Sequence, residues 1–271
     1  MTQDPNAQGR SEGGPRVKAV ETSVEIIETI QSLGGGKVTE IVDKTDLSKG
    51  AVYKHLSTLR AHDLVIKDGS QYNLGFRFLD YGGWLRSHYV ASEIIKPQVR
   101  EIAEETNEVA MFAIQENTRI ITLFRENGNQ GVSTRTRLGR RLYPHQTAGG
   151  KAILSQLPEE KVQSVIETTG LPKATENTIT EESELYDDLD TIRDRGYSFN
   201  REESTKGLVA VAVPLAPDDT VIGACSVAGP RHRMDESRLE DDIVGLLLSA
   251  VNELELNITH SQESVRMLRS P

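Results

Sequence analysis

Apolar residues recur at helical spacing in the first quarter of the chain. Between residues 23 and 33 they follow an i, i+3, i+4, i+7 pattern that stops at three consecutive glycines. This pattern predicts a helix with one buried face. Two shorter helices are predicted after it, one over residues 39–45 with Thr39 as its N-cap and one that begins after Ser48, a residue type that caps helices. Two strand-like runs, residues 64–66 and 72–74, then flank Asp68-Gly69, a strong hairpin signal.

Helix, turn, helix and hairpin in this order are typical of a winged helix-turn-helix, which places one helix in a DNA groove. In the helix after Ser48, Val52, Leu56 and Leu59 form the predicted inner face, so the other side is free for DNA. The candidate DNA-contacting residues are Thr39, Ser48, Lys49, Gly50, Ala51, Tyr53, Lys54 and Lys67. A purely structural bundle of small helices with solvated charges is the alternative interpretation.

The pattern changes along the rest of the chain. An aromatic-rich helical stretch over residues 76–90 is too apolar for a free linker, and we expect it to pack between domains or against a second subunit. Another helix is predicted over residues 94–106. Strands are then predicted at 109–114, 119–124 and 132–138, helices at 148–156, 159–168 and 182–195, strands at 208–215 and 221–228, and a last helix at about 235–258. This order predicts an α+β domain with an antiparallel sheet and helices on its faces.

A chain of 271 residues exceeds the usual size of one hydrophobic core, so two domains are expected. The predicted divisions are a disordered tail (1–15), a DNA-binding domain (16–75), a linker helix (76–90), a second domain (91–260) and a C-terminal tail (261–271). No apolar run approaches the length of a membrane span, and the N-terminus does not resemble a signal peptide. We therefore expect a cytoplasmic protein with no membrane partner.

The net charge of −10 is unusual for a DNA-binding protein, so its distribution matters more than its total. Residues 16–86 contain 10 lysines and arginines against 9 aspartates and glutamates, a net charge of +1. Such a domain neutralises only a few phosphates, so one copy should bind weakly. A dimer on two half-sites is expected to be needed for useful affinity.

The sequence contains no recognisable catalytic or metal-binding constellation. G-x-S-x-G, H-E-x-x-H and G-x-G-x-x-G are absent, and the six histidines are scattered. We therefore predict no catalytic residue, no metal site and no cofactor. The single cysteine, Cys225, lies in a strand-like run and is expected to be a buried, inert thiol, with an exposed redox sensor as the alternative.

Residues 138–151 form the best candidate for a small-molecule site, because they lead from a loop into a predicted helix N-terminus. The free N–H groups there can hold a small carboxylate, and Arg140, Arg141, His145 and Thr147 are possible further donors. Alternatively, the glycines of this run only allow close packing of the helix on the sheet, and the arginines pair with surface acids.

Five motifs in this order resemble the IclR family of transcription regulators. They are the winged helix followed by YNLG at 72–75, TAGGKAIL at 147–154, RDRGY at 193–197, VAVAVP at 209–214 and CSVAGPR at 225–231, and the likeness covers roughly residues 18–260. The resemblance implies a winged helix-turn-helix, a linker helix and a GAF-like domain that binds a small organic effector. It also implies a homodimer, or a homotetramer made of two dimers, bound to a double-stranded DNA operator.

By motif, the resemblance places the effector pocket between the sheet and the loop and helix that follow it. The implied effector-binding residues are Ala148, Gly149, Asn200, Leu208, Ala210, Ser226 and Ala228. Members that bind small keto acids tend to have an acid near Asn200 and polar residues near Ala210 and Ala228. The more apolar set in this chain implies a different or larger effector. Lys54 stands where members of the family frequently have an arginine. A lysine cannot make the bidentate phosphate contact that an arginine makes.

Two rival functions remain open at this point. One is a small-acid enzyme with a DNA-binding accessory domain, for which the sequence offers no nucleophile, base or metal ligands. The other is a ligand-sensing interaction module without DNA binding, which the nearly neutral N-terminal domain permits.

Overall fold

The computed structural model describes residues 14–131 and 137–269, the last nine of them as backbone only. The chain divides after Tyr89 into two compact units, which are treated in turn. Most of the predicted N-terminal tail and most of the strand predicted at 132–138 lie outside the described residues. Residues 137–138, at the end of that predicted strand, are not in a strand.

The N-terminal unit begins with three helices, α1 (Lys18–Leu33), α2 (Val38–Lys44) and α3 (Lys49–Ala61). Helix α1 starts earlier than predicted and ends at Gly34, whose φ of 69° is the left-handed conformation that glycine adopts without strain. Helix α2 is preceded by Lys37 as its N-cap residue, and the backbone N–H of Lys37 donates to Glu40 Oε2 at 2.7 Å. The prediction that Thr39 caps this helix is therefore wrong, because Thr39 already lies in its first turn.

A three-stranded antiparallel sheet completes this unit. Its strands are β1 (Gly36–Lys37), β2 (Val65–Asp68) and β3 (Gln71–Leu74), in the order β1-β3-β2. The hairpin turn is Gly69-Ser70, one residue later than Asp68-Gly69, and Gly69 has a φ of +56°. Lys67 consequently lies in β2, opposite Tyr72, and not in the turn as predicted. Strand β1 was not predicted, because its two residues include a glycine that was interpreted only as a helix terminator.

The helices and the sheet of the N-terminal unit share one hydrophobic core. The predicted inner faces of α1 and α3 meet there, and β2 and β3 each add a buried side chain. The core consists of Ile26, Ile30, Val38, Ile41, Val52, Leu56, Leu59, Val65 and Tyr72. After it comes α4 (Arg77–Ser87), the predicted linker helix, which has no buried residue in the isolated chain.

The second unit is built on one six-stranded antiparallel sheet, in the order β6-β5-β4-β9-β8-β7. Its strands are β4 (Val109–Glu116), β5 (Arg119–Asn127), β6 (Arg141–Leu142), β7 (Ser198–Arg201), β8 (Leu208–Leu215) and β9 (Gly223–Pro230). Its helices are α5 (Ser92–Thr106), α6 (Ala148–Ser155), α7 (Glu159–Thr169), α8 (Glu182–Arg195) and α9 (Val244–Arg269). The predicted α+β class with an antiparallel sheet and flanking helices is confirmed.

Two layers of helices cover the sheet. Helices α5 and α9 pack against it and against each other, while α6 packs against the four strands β4, β7, β8 and β9. The α6 contact is close because it is made of small residues: a Cβ on Gly149 would lie 3.7 Å from Ala113 Cβ and 3.9 Å from Ala224 Cβ. Helices α7 and α8 form an outer cluster around Leu154 of α6.

The C-terminal helix differs most from its prediction. A π-helical stretch, Arg238–Ile243, precedes α9, and the backbone of α9 continues to Arg269, beyond the expected end near residue 258. Among the described residues, no helix is both long enough and apolar enough to cross a lipid bilayer.

Candidate nucleic-acid interface and effector cavity

The N-terminus of α3 is shaped by Ser48. Its side-chain Oγ accepts from the backbone N–H of Ala51 at 3.2 Å, so Ser48 caps the helix as predicted. The Ser48 hydroxyl is thereby engaged in the cap. A role for Ser48 in DNA binding therefore remains a prediction, and the cap itself positions the first turn.

The outer side of α3 carries most of the predicted DNA-contacting residues. Val52, Leu56 and Leu59 are buried, which leaves Lys49, Gly50, Tyr53 and Lys54 exposed on the opposite side, while Ala51 is half-buried. A Cβ added to Gly50 would meet no atom within 4 Å, so the surface there is open. Lys49 and Lys54 form no ion pair with any described residue, so both ammonium groups are available to phosphates.

The remaining two predicted contacts lie on neighbouring elements. Thr39 is exposed in the first turn of α2. Lys67 is exposed on β2, and its Nζ lies 5.6 Å from the centre of the Tyr72 ring. One anchor of α3 was missed from the sequence: His55 Nδ1 lies 2.9 Å from Ser23 Oγ of α1, a contact that fixes α3 from its inner side.

The seven predicted effector-binding residues come together in the second unit. Ala148, Gly149, Asn200, Leu208, Ala210, Ser226 and Ala228 all line one cavity between the sheet and the start of α6, with a volume of about 50 Å³. Thr147, named from the sequence as a possible donor, also lines it. The sequence did not identify the other lining residues, which are Met111, Ala113, Ile120, Thr122, Leu142 and Ser204. Most of these lie on the face of β4 or β5 that points to α6, which strand alternation indicates only once the position of α6 is known.

Two hydroxyl groups in the cavity wall have no partner within the described ranges. Thr122 and Ser226 are 3% and 5% exposed, and neither side chain forms a hydrogen bond with another described residue. Buried hydroxyls normally have a partner, so these two are available to a molecule in the cavity.

The start of α6 adds two backbone donors. Thr147 Oγ1 accepts from Gly150 N at 3.0 Å, and Lys151 N donates to Thr147 O at 3.0 Å, so this cap uses the third and fourth N–H groups of the helix. The N–H groups of Ala148 and Gly149 have no acceptor among the residues that the structure describes. Donors at a helix N-terminus favour an anionic group.

Every polar atom of the Asn200 side chain has a protein partner, and only the second lone pair of its Oδ1 remains for a ligand. Its Nδ2 donates to Gln146 O at 2.7 Å and to Ser204 Oγ at 3.0 Å, while its Oδ1 accepts from Glu203 N at 2.9 Å. The side chain therefore organises the edge of the cavity.

Of the four further donors proposed for residues 138–151, Thr147 lines the cavity and the other three do not. Arg141 pairs with Glu116 at 2.8 Å, and neither Arg140 nor His145 lines the cavity. His145 is buried with its Nε2 3.2 Å from Pro172 O, and burial lowers the pKa of His145 to about 4. A neutral imidazole in that place does not attract an anion. Two parts of the alternative interpretation hold: Arg141 pairs with a surface acid, and Gly150 allows close packing, since a Cβ there would lie 2.3 Å from Pro144 O.

Cys225 and Lys151 are two further buried side chains of the second unit. Cys225 is fully buried in β9, and burial raises the pKa of its thiol to about 12, in line with the inert thiol that was expected. Lys151, the last residue of the 138–151 run, is buried as well. Its Nζ lies 2.8 Å from Asp188 Oδ2 and 2.7 Å from Glu203 Oε2.

Comparison with known proteins agrees with both parts of the structure. Residues 19–69 match the IclR helix-turn-helix domain, and residues 85–256 match the bacterial transcriptional regulator IclR C-terminal domain. The probable HTH-type transcriptional regulator ArcR of Halobacterium salinarum is 28% identical over 260 residues, which cover 94% of this chain and 98% of that protein.

Solved structures show the same fold. The Thermotoga maritima IclR crystal structure matches with a TM-score of 0.74 and 24% identity, covering 90% of this chain and 99% of that one. An IclR homologue from Microbacterium hydrocarbonoxydans, crystallised with 4-hydroxybenzoate, matches with a TM-score of 0.75 and 18% identity, covering 89% and 99%. Because the two family models together match most of its length, the chain belongs to the IclR family of DNA-binding transcription regulators.

Proposed function

We propose that this regulator binds operator DNA through the outer side of α3 and responds to a small organic effector held in the cavity beside α6. The observation that carries the effector assignment is the cavity itself, in which apolar walls surround two unpartnered hydroxyls and two free N–H groups. The protein acts in the cytoplasm, where its DNA target lies.

The exposed side of α3 supports the DNA assignment. Lys49 and Lys54 present unpaired ammonium groups beside the open surface at Gly50, so α3 can approach a groove closely with a cation on either side. Lysines of this kind contact phosphates and fix the position of the helix. Tyr53, 48% exposed between them, is available to a sugar or a base edge.

The test is a binding titration with Lys49→Ala and Lys54→Ala proteins on a duplex selected from random sequence by the wild-type protein. We expect each variant to bind about 3- to 10-fold more weakly and to reduce the salt slope by about one, because one phosphate contact is lost. Lys96→Ala, which removes an exposed lysine from α5 in the other unit, is the matched control.

Unchanged affinity in both α3 variants would remove this assignment. Random duplex at low and high salt separates the main proposal from its rival without DNA binding. That rival predicts no binding under either condition.

The cavity chemistry favours a ligand with one acidic end and an apolar body. The N–H groups of Ala148 and Gly149 suit a carboxylate, while Met111 and Leu208 contribute apolar surface. The Microbacterium homologue holds 4-hydroxybenzoate, a molecule of this kind. A cavity of about 50 Å³ is too small for such a ring, since benzene occupies a cavity of roughly 150 Å³. We therefore expect a ring-sized effector to enlarge the site or to extend out of it.

A thermal-shift screen of small aromatic and aliphatic acids tests the effector site. A true effector at 100 times its Kd should stabilise the protein by about 2.7 kcal/mol. Ala210→Leu, which fills the cavity, should abolish this stabilisation, and Ser226→Ala should weaken it by losing one hydrogen bond. Ala61→Leu, an exposed change in the N-terminal unit, is the control. Equal stabilisation of the Ala210→Leu protein would contradict the site, and turnover of an acid would support the enzyme rival.

We further propose that two copies pair through α4. Four large apolar side chains of α4 are exposed, and so is Phe76 just before the helix. The five residues are Phe76, Leu79, Tyr81, Trp84 and Leu85, which are between 46% and 81% exposed. A row of this kind is a mark of an interaction surface. A second copy also supplies the second recognition helix that the low charge of one DNA-binding unit requires.

A further inference from the structure

Lys151 is a buried lysine held between two carboxylates, and the packing of α6 on the sheet does not by itself require a charged side chain there. Its side chain is 3% exposed, and its ammonium group lies between a carboxylate of α8, Asp188, and one of the β7–β8 loop, Glu203. Asp188 is 25% exposed, whereas Glu203 is 9% exposed. The buried ammonium group of Lys151 therefore links α8 to the β7–β8 loop.

That loop, residues 202–207, forms one edge of the effector cavity. Ser204 lines the cavity directly, and the backbone N–H of Glu203 donates to Asn200 Oδ1, which orients the amide at the cavity wall. The ends of the loop are fixed to each other and to β9, because the Glu202 carboxylate accepts from Gly207 N at 2.6 Å and pairs with Arg231 at 2.5 Å. Residues 203–206 lie between these fixed ends.

Both fixed ends have a positive φ, 66° at Glu202 and 79° at Gly207. Between them the loop is held by the Lys151–Glu203 ion pair, by hydrogen bonds from Thr178 and Thr175, and by hydrogen bonds of the β7 residues Asn200 and Arg201 to Glu203 and Ser204. Thr178 Oγ1 donates to Glu203 O at 2.7 Å, and Thr175 Oγ1 donates to it at 3.2 Å. Among the polar contacts of the described residues, only the ion pair connects the loop to α6, the helix that carries the N–H groups of the cavity.

The two carboxylates make release of the loop feasible. If Glu203 moves outward, Lys151 keeps Asp188 as its partner, so no buried cation is left without a counter-charge. Glu203 meanwhile regains water, which favours its ionised form. Burial of Glu203 in the closed arrangement raises the pKa of this carboxyl above its usual range, so its charge is disfavoured there by desolvation.

We propose that Lys151 is a positioning residue whose ion pair with Glu203 holds the 202–207 loop closed over the cavity, and that breaking this pair opens the path by which an effector enters. The inference rests on the proposed effector function, but opening of the loop is measurable without any effector. It also gives a ring-sized effector a way to enlarge a cavity of about 50 Å³.

The experiment measures access to the cavity with a thiol. Ser226→Cys is introduced into a Cys225→Ala background, and the rate of alkylation by iodoacetamide is followed under native conditions. Because the side chain at position 226 lines the cavity, this rate reports how often the cavity opens. Glu203→Gln breaks the tether while Lys151 keeps Asp188, and Lys151→Met removes the cation altogether.

We expect both substitutions to accelerate alkylation at least tenfold. Asp188→Asn is the matched control, because it removes the other carboxylate of Lys151 and leaves the loop tethered, so its rate should stay within twofold. Hydrogen exchange in α9 and β4 should be unchanged in the Glu203→Gln protein, which distinguishes local opening from general destabilisation.

Two results would overturn the proposal. One is an unchanged alkylation rate in the Glu203→Gln protein. The other is an equal acceleration by Asp188→Asn, which would show that the ion pairs only support the fold. Neither result depends on finding an effector, and a screen in which no acid binds would leave a measured opening of the loop intact.

Discussion

At the scale of single residues, burial decided what the polar side chains near α6 do. His145 and Thr147 occur in one loop and were both considered as donors to an anion. Thr147 caps α6 and lines the cavity, whereas His145 is turned towards Pro172 O. Neighbouring positions in a loop do not reveal which side chain points inward, because no periodicity applies there.

The His145 environment predicts a pH dependence of stability. Its pKa in the folded protein is about 4, below the ordinary value of 6.5, so folding favours the neutral ring. The resulting stabilisation is complete above pH 6.5 and is lost as the pH falls from about 6.5 towards 4, where the folded protein must bury a proton that the unfolded chain binds readily. Between pH 7.5 and 5 we expect a loss of about 2 kcal/mol from this residue.

Urea denaturation at the two pH values measures this loss. His145→Gln, which keeps a donor for Pro172 O but does not titrate, should reduce the pH dependence by that amount. His232→Gln changes an exposed histidine and should leave the dependence as in the wild type. The same pH dependence in the wild type and the His145→Gln protein would refute the assignment.

At the scale of elements, local signals identified the helices and long strands well. Ser48 and Gly196 mark the start of α3 and the end of α8 as predicted, because capping depends only on residues within one turn. Strands β1, β6 and β7 were missed, since two to four residues show no usable alternation. These short strands exist because a longer partner strand offers them hydrogen bonds, and for β1 and β6 that partner lies about 20 to 35 residues away in the sequence.

The same limit explains the errors within elements. Thr39 has the right chemistry for an N-cap, but the pairing of Gly36 and Lys37 with β3 holds Lys37 extended and makes it the N-cap, two residues before Thr39. Lys67 was assigned to the turn because Asp68-Gly69 is the usual signal. The strand register extends the hairpin by one pair and moves the turn to Gly69-Ser70.

At the scale of the whole molecule, the linker helix stands out. Helix α4 exposes an apolar row although the units before and after it each have a buried core of their own. Water contact with so many large apolar side chains is unfavourable, and burial against a second copy would remove it. The proposed dimer therefore follows from the exposure of one helix and from the small positive charge of the DNA-binding unit.

Sedimentation of a Trp84→Ser/Leu85→Ser double variant tests the dimer. We expect the wild type to sediment as a dimer or larger assembly and the variant to shift towards the monomer, with operator affinity at least tenfold weaker because two linked half-site contacts become independent. Leu256→Ser, an equally polar change at a site 54% exposed on α9, should have no such effect. A monomeric wild type, or a variant that assembles normally, would exclude α4 as the interface.

The sequence by itself determined the helix-turn-helix, the α+β class, the principal caps and the family, because these depend on short-range periodicity and on motifs read along the chain. It also led, through the family motifs, to seven residues that the fold gathers around one cavity. Only the tertiary structure decided that Asn200 is hydrogen-bonded to Gln146, Glu203 and Ser204. It also decided that Thr122 faces the same cavity as Ser226 and that Lys151 joins α8 to the loop at Glu203. Those relations depend on burial and on contacts between distant segments, which packing creates and no local pattern encodes.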